Sequence, residues 1–356
     1  MDAVTMIEST NASRGRVKCL VWDLDCTLWD GILAEGDAVE PFAHVARLVR
    51  ALDERGILQS VASKNDAEPA LAALERFGLR EYFLYPQIHW GPKSESIRAI
   101  AGDLNIGIDT LGFIDDQAFE RDEVASAHPQ VLCIDSAHSA SLGEMPELQP
   151  LFVTDESRLR RQMYLQDADR DAVERRFDGP KEDFLATLDM RFRIERAKAS
   201  DLQRLEELVA RTNQLNTTGR IYSYEQLDAF RKSERHDLWT AGLEDVYGSY
   251  GKIGLALVEK DDAVWTVRAF LMSCRVMSRG VGTVFLHWLI NRAREHGTVL
   301  RAELIPNERN RMMYATYRFA GFSQIANSDG VELLERRSDQ APGYPQYVRL
   351  LVEQGD

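Results

Sequence analysis

Cysteine is scarce in this chain: four residues among 356, none arranged as a CxxC pair. That excludes a disulfide framework and a clustered zinc site, and it suits a reducing compartment. Cys19, Cys133 and Cys274 lie inside apolar runs and read as small buried hydrophobes. No apolar run approaches the ~20 residues needed to span a bilayer. The opening segment MDAVTMIESTNASRG is polar and lacks the apolar centre of a secretory signal. The expectation is a cytoplasmic protein without membrane contact. Basic residues are also outnumbered, 43 Lys and Arg against 57 Asp and Glu, giving a formal net charge of −14. A chain so acidic lacks the basic face that nucleic acid requires. Repeats and low-complexity segments are missing too. What remains is 44% hydrophobic and 28% charged, the balance of an ordinary globular protein, with a length that suits two domains.

The first third alternates apolar runs with helical patterns. Val17–Trp22, Ile57–Ala62, Thr110–Ile114 and Val131–Ile134 read as strands, with a short one at Tyr82–Leu84. Pro41–Arg55, Ala67–Phe77, Lys93–Asn105 and Phe119–His128 read as helices between them. That alternation predicts βαβ units and a parallel sheet. Residues 1–150 form the expected first domain, and the charged stretch 151–183 a helical linker with a solvated face. Residues 184–356 form an α+β domain with a mostly antiparallel sheet. Its strands are expected at MRFRIERA, Tyr250–Val258, Ala263–Ser273 and Thr298–Leu304. Its helices are expected at Ser200–Thr212, from Gly280 to about His296, and near Asn310–Phe319.

Chemistry collects at the carboxyl ends of parallel strands, and the polar residues of this chain gather there. VWDLDCT puts Asp23 and Asp25 two residues apart, just after a hydrophobic strand. Paired carboxylates repel unless a cation lies between them, and Mg²⁺, which prefers oxygen ligands, resolves that. Ser63 follows the second strand in SVASKND, Lys93 opens a helix in WGPKSES, and Asp115 and Asp116 follow the third long strand in FIDDQ. Alone, each is a cap or a surface residue. Together they supply the metal, hydroxyl and ammonium contacts that phosphoryl transfer demands.

This series resembles the haloacid dehalogenase superfamily. The resemblance implies Asp23 as the nucleophile that forms an aspartyl-phosphate and Asp25 as the general acid/base. It implies Thr27, Ser63, Lys64, Asn65 and Lys93 as phosphate or substrate contacts. Mg²⁺ would be held by Asp23, the main-chain carbonyl of Asp25 and one of Asp115 and Asp116, with Asp116 favoured. Too few residues separate Thr27 from the helix at Pro41 to build a large cap.

Cys26 occupies the variable position of the acidic motif, where an inert filler is the plain reading. A thiol beside a metal and a lysine can also ionise and attack an acyl carbon; the neighbouring carboxylates oppose that ionisation. The stretches KCLVWDLDCTLWDGILAEGD, ASKND, WGPKSESI and FIDDQAFERDEV, with RTNQLNTTGRIYS, YGSYGKIGLAL and FLMSCRVMSRGVG further on, resemble the FkbH-like glyceryl transferase/phosphatases. That resemblance implies 1,3-bisphosphoglycerate as substrate, a (phospho)glyceryl thioester on Cys26 and phosphate removal at Asp23. The glyceryl group would pass to the phosphopantetheine arm of an acyl carrier protein in polyketide biosynthesis. The rival readings are an Mg²⁺-dependent small-molecule phosphatase with Cys26 inert, and a CoA-dependent acyltransferase.

FLMSCRVMSRGVG also resembles the turn of the GNAT acyltransferase fold, whose main-chain N–H groups cradle the coenzyme A pyrophosphate. Gly280 and Gly282 are present, Met277 replaces the usual Arg or Gln, and Arg279 stands nearby as a substitute. Arg279, Gly280 and Gly282 are thus candidate pantetheine contacts. Asn213, Asn216, Thr217 and Thr218 form a polar cluster that faces a ligand or caps a turn. An acidic carrier calls for a local basic patch, for which Arg158, Arg160 and Arg161, or Arg309 and Arg311, are the candidates.

Overall fold

A computed structural model describes residues 17–36, 38–150, 153–212, 214–338 and 340–353; the polar opening segment, residues 151–152 and Asn213 lie outside them. The chain divides into two compact units, Met1–Tyr164 and Leu165–Asp356.

In the first unit the elements run β1 (Cys19–Trp22), β2 (Trp29–Asp30), β3 (Glu40–Pro41), α1 (Ala43–Glu54), β4 (Leu58–Ser63) and α2 (Ala67–Arg76). Then follow β5 (Gln87–Ile88), α3 (Lys93–Asp103), β6 (Leu111–Asp115), α4 (Ala118–Ala127), β7 (Leu132–Asp135) and the short α5 (Asp155–Arg158). The parallel sheet has the order β5-β4-β1-β6-β7. Side chains alternate across a strand. On β1, Leu20 and Trp22 therefore join one core with Val45, Val49 and Leu74, while Cys19 and Val21 join the other with Ile97, Ile100 and Phe113. Both faces are covered by helices, as a parallel sheet requires. The expected strand at Tyr82–Leu84 is only a bridge at Phe83; β5 holds the sheet edge instead. Among the described residues, the β2–β3 hairpin is the only sheet between β1 and α1, so no large cap covers the strand ends.

Helix α6 (Arg160–Arg176) carries the unit boundary within it. Its charges are not simply solvated, as expected from composition. Arg160 is buried and donates to the Gly56 carbonyl, and Arg161 pairs with Asp53 at 3.0 Å and Glu81 at 3.2 Å. Those two arginines are committed within their own unit, so they form no free basic patch. Arg170, also buried, pairs with Asp245 at 2.7 Å and lies over the Tyr250 ring.

The second unit continues with α7 (Lys181–Thr187), β8 (Met190–Arg196), α8 (Leu202–Arg211), α9 (Tyr224–Lys232), β9 (His236–Asp245), β10 (Gly248–Lys260) and β11 (Val264–Met272). It closes with α10 (Val281–Glu295), β12 (Val299–Leu304), α11 (Arg311–Phe319), β13 (Phe322–Ser328), β14 (Val331–Arg336) and β15 (Val348–Glu353). The sheet order is β13-β14-β12-β11-β10-β9-β8-β15. Only β11–β12 and β8–β15 are parallel. The fold class is therefore the expected one: a doubly covered parallel sheet without a large cap, then an α+β unit with a mostly antiparallel sheet. The parallel β11–β12 pairing stops at Val267 and Ala302, and beyond it the sheet splits. No helix of the described residues is long and apolar enough to cross a membrane.

Candidate active site

The DLDCT segment makes a sharp turn off β1. The Leu24 carbonyl accepts from the N–H groups of Thr27, Leu28 and Trp29. Cys26 takes the left-handed backbone at φ +54°, a region costly for a residue with a Cβ. The turn brings Asp23 to the buried floor of the site and leaves Cys26 exposed at its lip.

Lys93 reaches this floor from the start of α3. Its Nζ donates to Asp23 Oδ1 at 2.7 Å and to Asp115 Oδ2 at 2.5 Å, and all three side chains are almost wholly buried. The strand ends deliver them: Asp23 follows β1, Asp115 ends the neighbouring β6, and the Ser63 carbonyl at the end of β4 accepts from His89 N–H, which anchors the loop leading to Lys93. Carboxylate oxygens of Asp23, Asp115 and Asp116 lie within 4.8 Å of one another.

Two carboxylates share one ammonium with a third close by, and the titration of the floor reflects it. Burial pushes the Asp23 carboxyl up to about 7; Lys93 pulls against that and the Asp115 charge adds to it. Burial raises Asp115 as well, again opposed by Lys93. For Lys93, burial favours the neutral amine, but Asp23 and Asp115 more than offset it and hold the ammonium charged above the ordinary lysine value. The excess negative charge and the all-oxygen donor set fit a hard divalent cation such as Mg²⁺. Both Asp115 oxygens are engaged, one by Lys93 and one by Gln117 N–H at 2.7 Å. Asp116 receives only a long contact from Thr27 Oγ1 at 3.5 Å, which leaves it the better placed of the pair for direct cation contact.

Asp25 is held by three donors: Trp29 Nε1 at 2.7 Å, Leu33 N–H at 3.1 Å and Asn65 Nδ2 at 2.9 Å. Asn65, expected to touch substrate, thus has its amide on Asp25, and its own Oδ1 accepts from Asp66 N–H. Lys64 likewise pairs with Glu120 at 2.7 Å rather than pointing free. Thr27 Oγ1 accepts from Asp116 N–H at 3.0 Å and so ties the first acidic pair to the second. Ser63 is buried at the end of β4. Trp29, which the sequence reads as a wall or core residue near this site, is buried in the core and also donates to Asp25; its place four residues after Asp25 was the signal for that bond. At the rim stand two exposed aromatics, Trp90 (62% exposed, its Nε1 on Asp66 Oδ1) and Phe119 (74%).

The Cys26 thiol lies 3.8 Å from the Gly31 carbonyl. Partial desolvation raises its pKa, and the carboxylates of Asp116, Asp25 and Asp30 raise it further. In the second unit, Gly280 (φ +73°) and Gly282 line a small cleft at the start of α10. Arg279 does not. Its guanidinium is buried against Glu174 at 2.8 Å and Asp171 at 3.2 Å, over the Phe184 ring. The substitute for the missing Arg or Gln at the turn is thus used internally.

The chain matches no family model and no curated protein. Solved structures similar to parts of it are of two kinds. The N-terminal part of BF1531 from Bacteroides fragilis, containing a phosphatase domain complexed with Mg, is 28% identical over 40% of this chain and 42% of its own length, with a TM-score of 0.34. The GNAT domain of S. lividans PAT is 21% identical over 40% of this chain and 88% of its own, at a TM-score of 0.33. The ribosomal-protein-S18-alanine N-acetyltransferase of Escherichia coli is 14% identical over 43% of this chain and 99% of its own, also at 0.33. This chain thus spans under half the length of the phosphatase-containing chain.

Proposed function

We propose that this chain is a phosphatase and acyl transferase, and specifically a glyceryl transferase/phosphatase that works on 1,3-bisphosphoglycerate. The observation that carries the reading is Cys26: an exposed thiol at the lip of a pocket whose floor holds Asp23, Lys93 and the acidic pair. One nucleophile suits carbon and the other phosphorus.

In the acyl step, the Cys26 sulfur bonds to the acyl-phosphate carbon, the carbon–oxygen bond to phosphate breaks, and the thiol proton leaves with a neighbouring base. In the phosphatase step, Asp23 attacks the phosphorus of the 3-phosphate, and the departing glyceryl oxygen takes a proton from Asp25. Water then opens the aspartyl-phosphate and returns a proton to Asp25. Lys93 neutralises charge on the phosphoryl oxygens, and Trp29, Leu33 N–H and Asn65 keep the Asp25 carboxylate oriented. Asp23, the Asp25 carbonyl and Asp116 would hold a divalent cation, Mg²⁺ by its oxygen donors, which supplies the positive charge that lowers the cost of phosphoryl transfer. The glyceryl group finally passes to the phosphopantetheine thiol of an acyl carrier protein by thioester exchange.

Intact-protein mass spectrometry after incubation with 1,3-bisphosphoglycerate and Mg²⁺ tests this. The expected product carries a glyceryl or phosphoglyceryl mass on Cys26, and Cys26→Ala loses that mass while it still releases phosphate. Normal loading of a carrier protein by Cys26→Ala would overturn the transferase half and leave a phosphatase with an inert thiol.

A further inference from the structure

A GNAT-like unit implies coenzyme A, and the residues of the second unit do not fit it. Where a sheet splits, the strands on either side present main-chain donors and acceptors that need partners. An extended ligand arm can supply them as an added strand. Here the chain supplies them itself. Met272 N–H donates to the Leu215 carbonyl at 2.9 Å, and Thr217 N–H donates to the Phe270 carbonyl at 3.0 Å. Phe270 N–H donates to Thr217 Oγ1 at 3.1 Å. On the far side of the gap, Ile305 N–H, just past β12, donates to the Thr217 carbonyl at 2.9 Å. Thr217 therefore bridges both edges of the split, and it is wholly buried.

The segment is locked in turn. Asn310 Nδ2, itself buried, donates to the carbonyls of Asn216 at 3.1 Å, Thr217 at 3.3 Å and Ile305 at 2.9 Å. Asn216 Oδ1 accepts from the N–H groups of Thr218 and Gly219. The cleft left beside the segment, bounded by Met272, Met277, Gly280, Gly282, Met312 and Thr316, measures about 70 Å³. Ligand pockets run to several hundred Å³. At the turn, the side chain that would meet a pyrophosphate is Met277, and Arg279 is tied to Glu174 and Asp171.

We infer that the second unit takes no acyl-CoA: its own segment Leu215–Thr218 fills the split in the sheet as a built-in third strand. Thr217 stands where a ligand amide would have to bind. This conclusion stands apart from the reading of the first unit; it assigns any acyl transfer by the chain to Cys26 rather than to the second unit.

Hydrogen exchange of the full chain, followed by mass spectrometry with residue-level fragmentation, tests it with and without millimolar acetyl-CoA. The Phe270, Met272 and Ile305 amides should exchange slowly without ligand, because all three are already bonded, and acetyl-CoA should leave them unchanged. Rapid exchange in the free protein, or protection of these amides that appears only with acetyl-CoA, would overturn the inference.

Discussion

At the strand ends of the first sheet, two carboxylates share a single ammonium and a third lies close by; at the split of the second, the main-chain groups of Phe270, Met272 and Ile305 are met by residues of the same chain. The first arrangement leaves a demand that only something from outside can meet, namely positive charge. The second leaves none. Buried polar groups reveal a binding site by what the protein fails to give them. By that measure the floor at Asp23 and Lys93 calls for a ligand, whereas the main-chain groups of Phe270, Met272 and Ile305 at the split do not.

The contrast breaks most visibly at Asp23. Asp23→Asn should lower phosphate release by roughly 10³-fold or more, as loss of a nucleophile does, while the adduct on Cys26 persists. The same variant tests the crowding. In the folded chain Asp23 keeps its proton up to about pH 7, against an ordinary value of 3.8. Between those values the folded state binds more protons than the unfolded one. This group's contribution to stability is therefore full at low pH, falls as pH rises through that window, and levels off above 7. In metal-free buffer, thermal melts of the parent chain should show this slope, and Asp23→Asn should flatten it.

Next in size is Asn65→Ala. It removes one of the three donors on Asp25 without touching the floor, and it should lower phosphate release by up to about 10²-fold, the lower end of what general acid/base catalysis contributes. The pH–rate profile should shift with it, which a merely structural loss would not cause. The smallest change sharpens the other side. Thr217→Val keeps the shape but leaves Phe270 N–H buried without its acceptor, costing about 1–3 kcal/mol in the opening free energy read by exchange at Phe270. Phosphate release should not move.

Most of the first unit was legible because its strands are short apolar runs bounded by the candidate site residues themselves. Tyr82–Leu84 misled because apolar composition does not specify an edge; only the Phe83 bridge to Gln59 formed. Strand β9 escaped notice because HDLWTAGLED is buried on both faces over most of its length and so shows no alternation. Strands β14 and β15 mix charge with apolar residues, and β13 is mostly exposed and polar, which blurs the period. At the site, residue types were readable and partners were not. Lys64, Asn65 and Arg279 have the chemistry of ligand contacts, yet Glu120, Asp25 and Glu174 engage them. Those partners lie far off in sequence, where spacing carries no information.

The left-handed backbone at Cys26 has a consequence for engineering. Glycine occupies that conformation without steric conflict, whereas cysteine holds it against a penalty of about 1–2 kcal/mol. A Cys26→Gly chain should melt higher than its parent, because it sheds tension that the thiol imposes on the loop. A thiol and the most comfortable backbone at this position exclude each other.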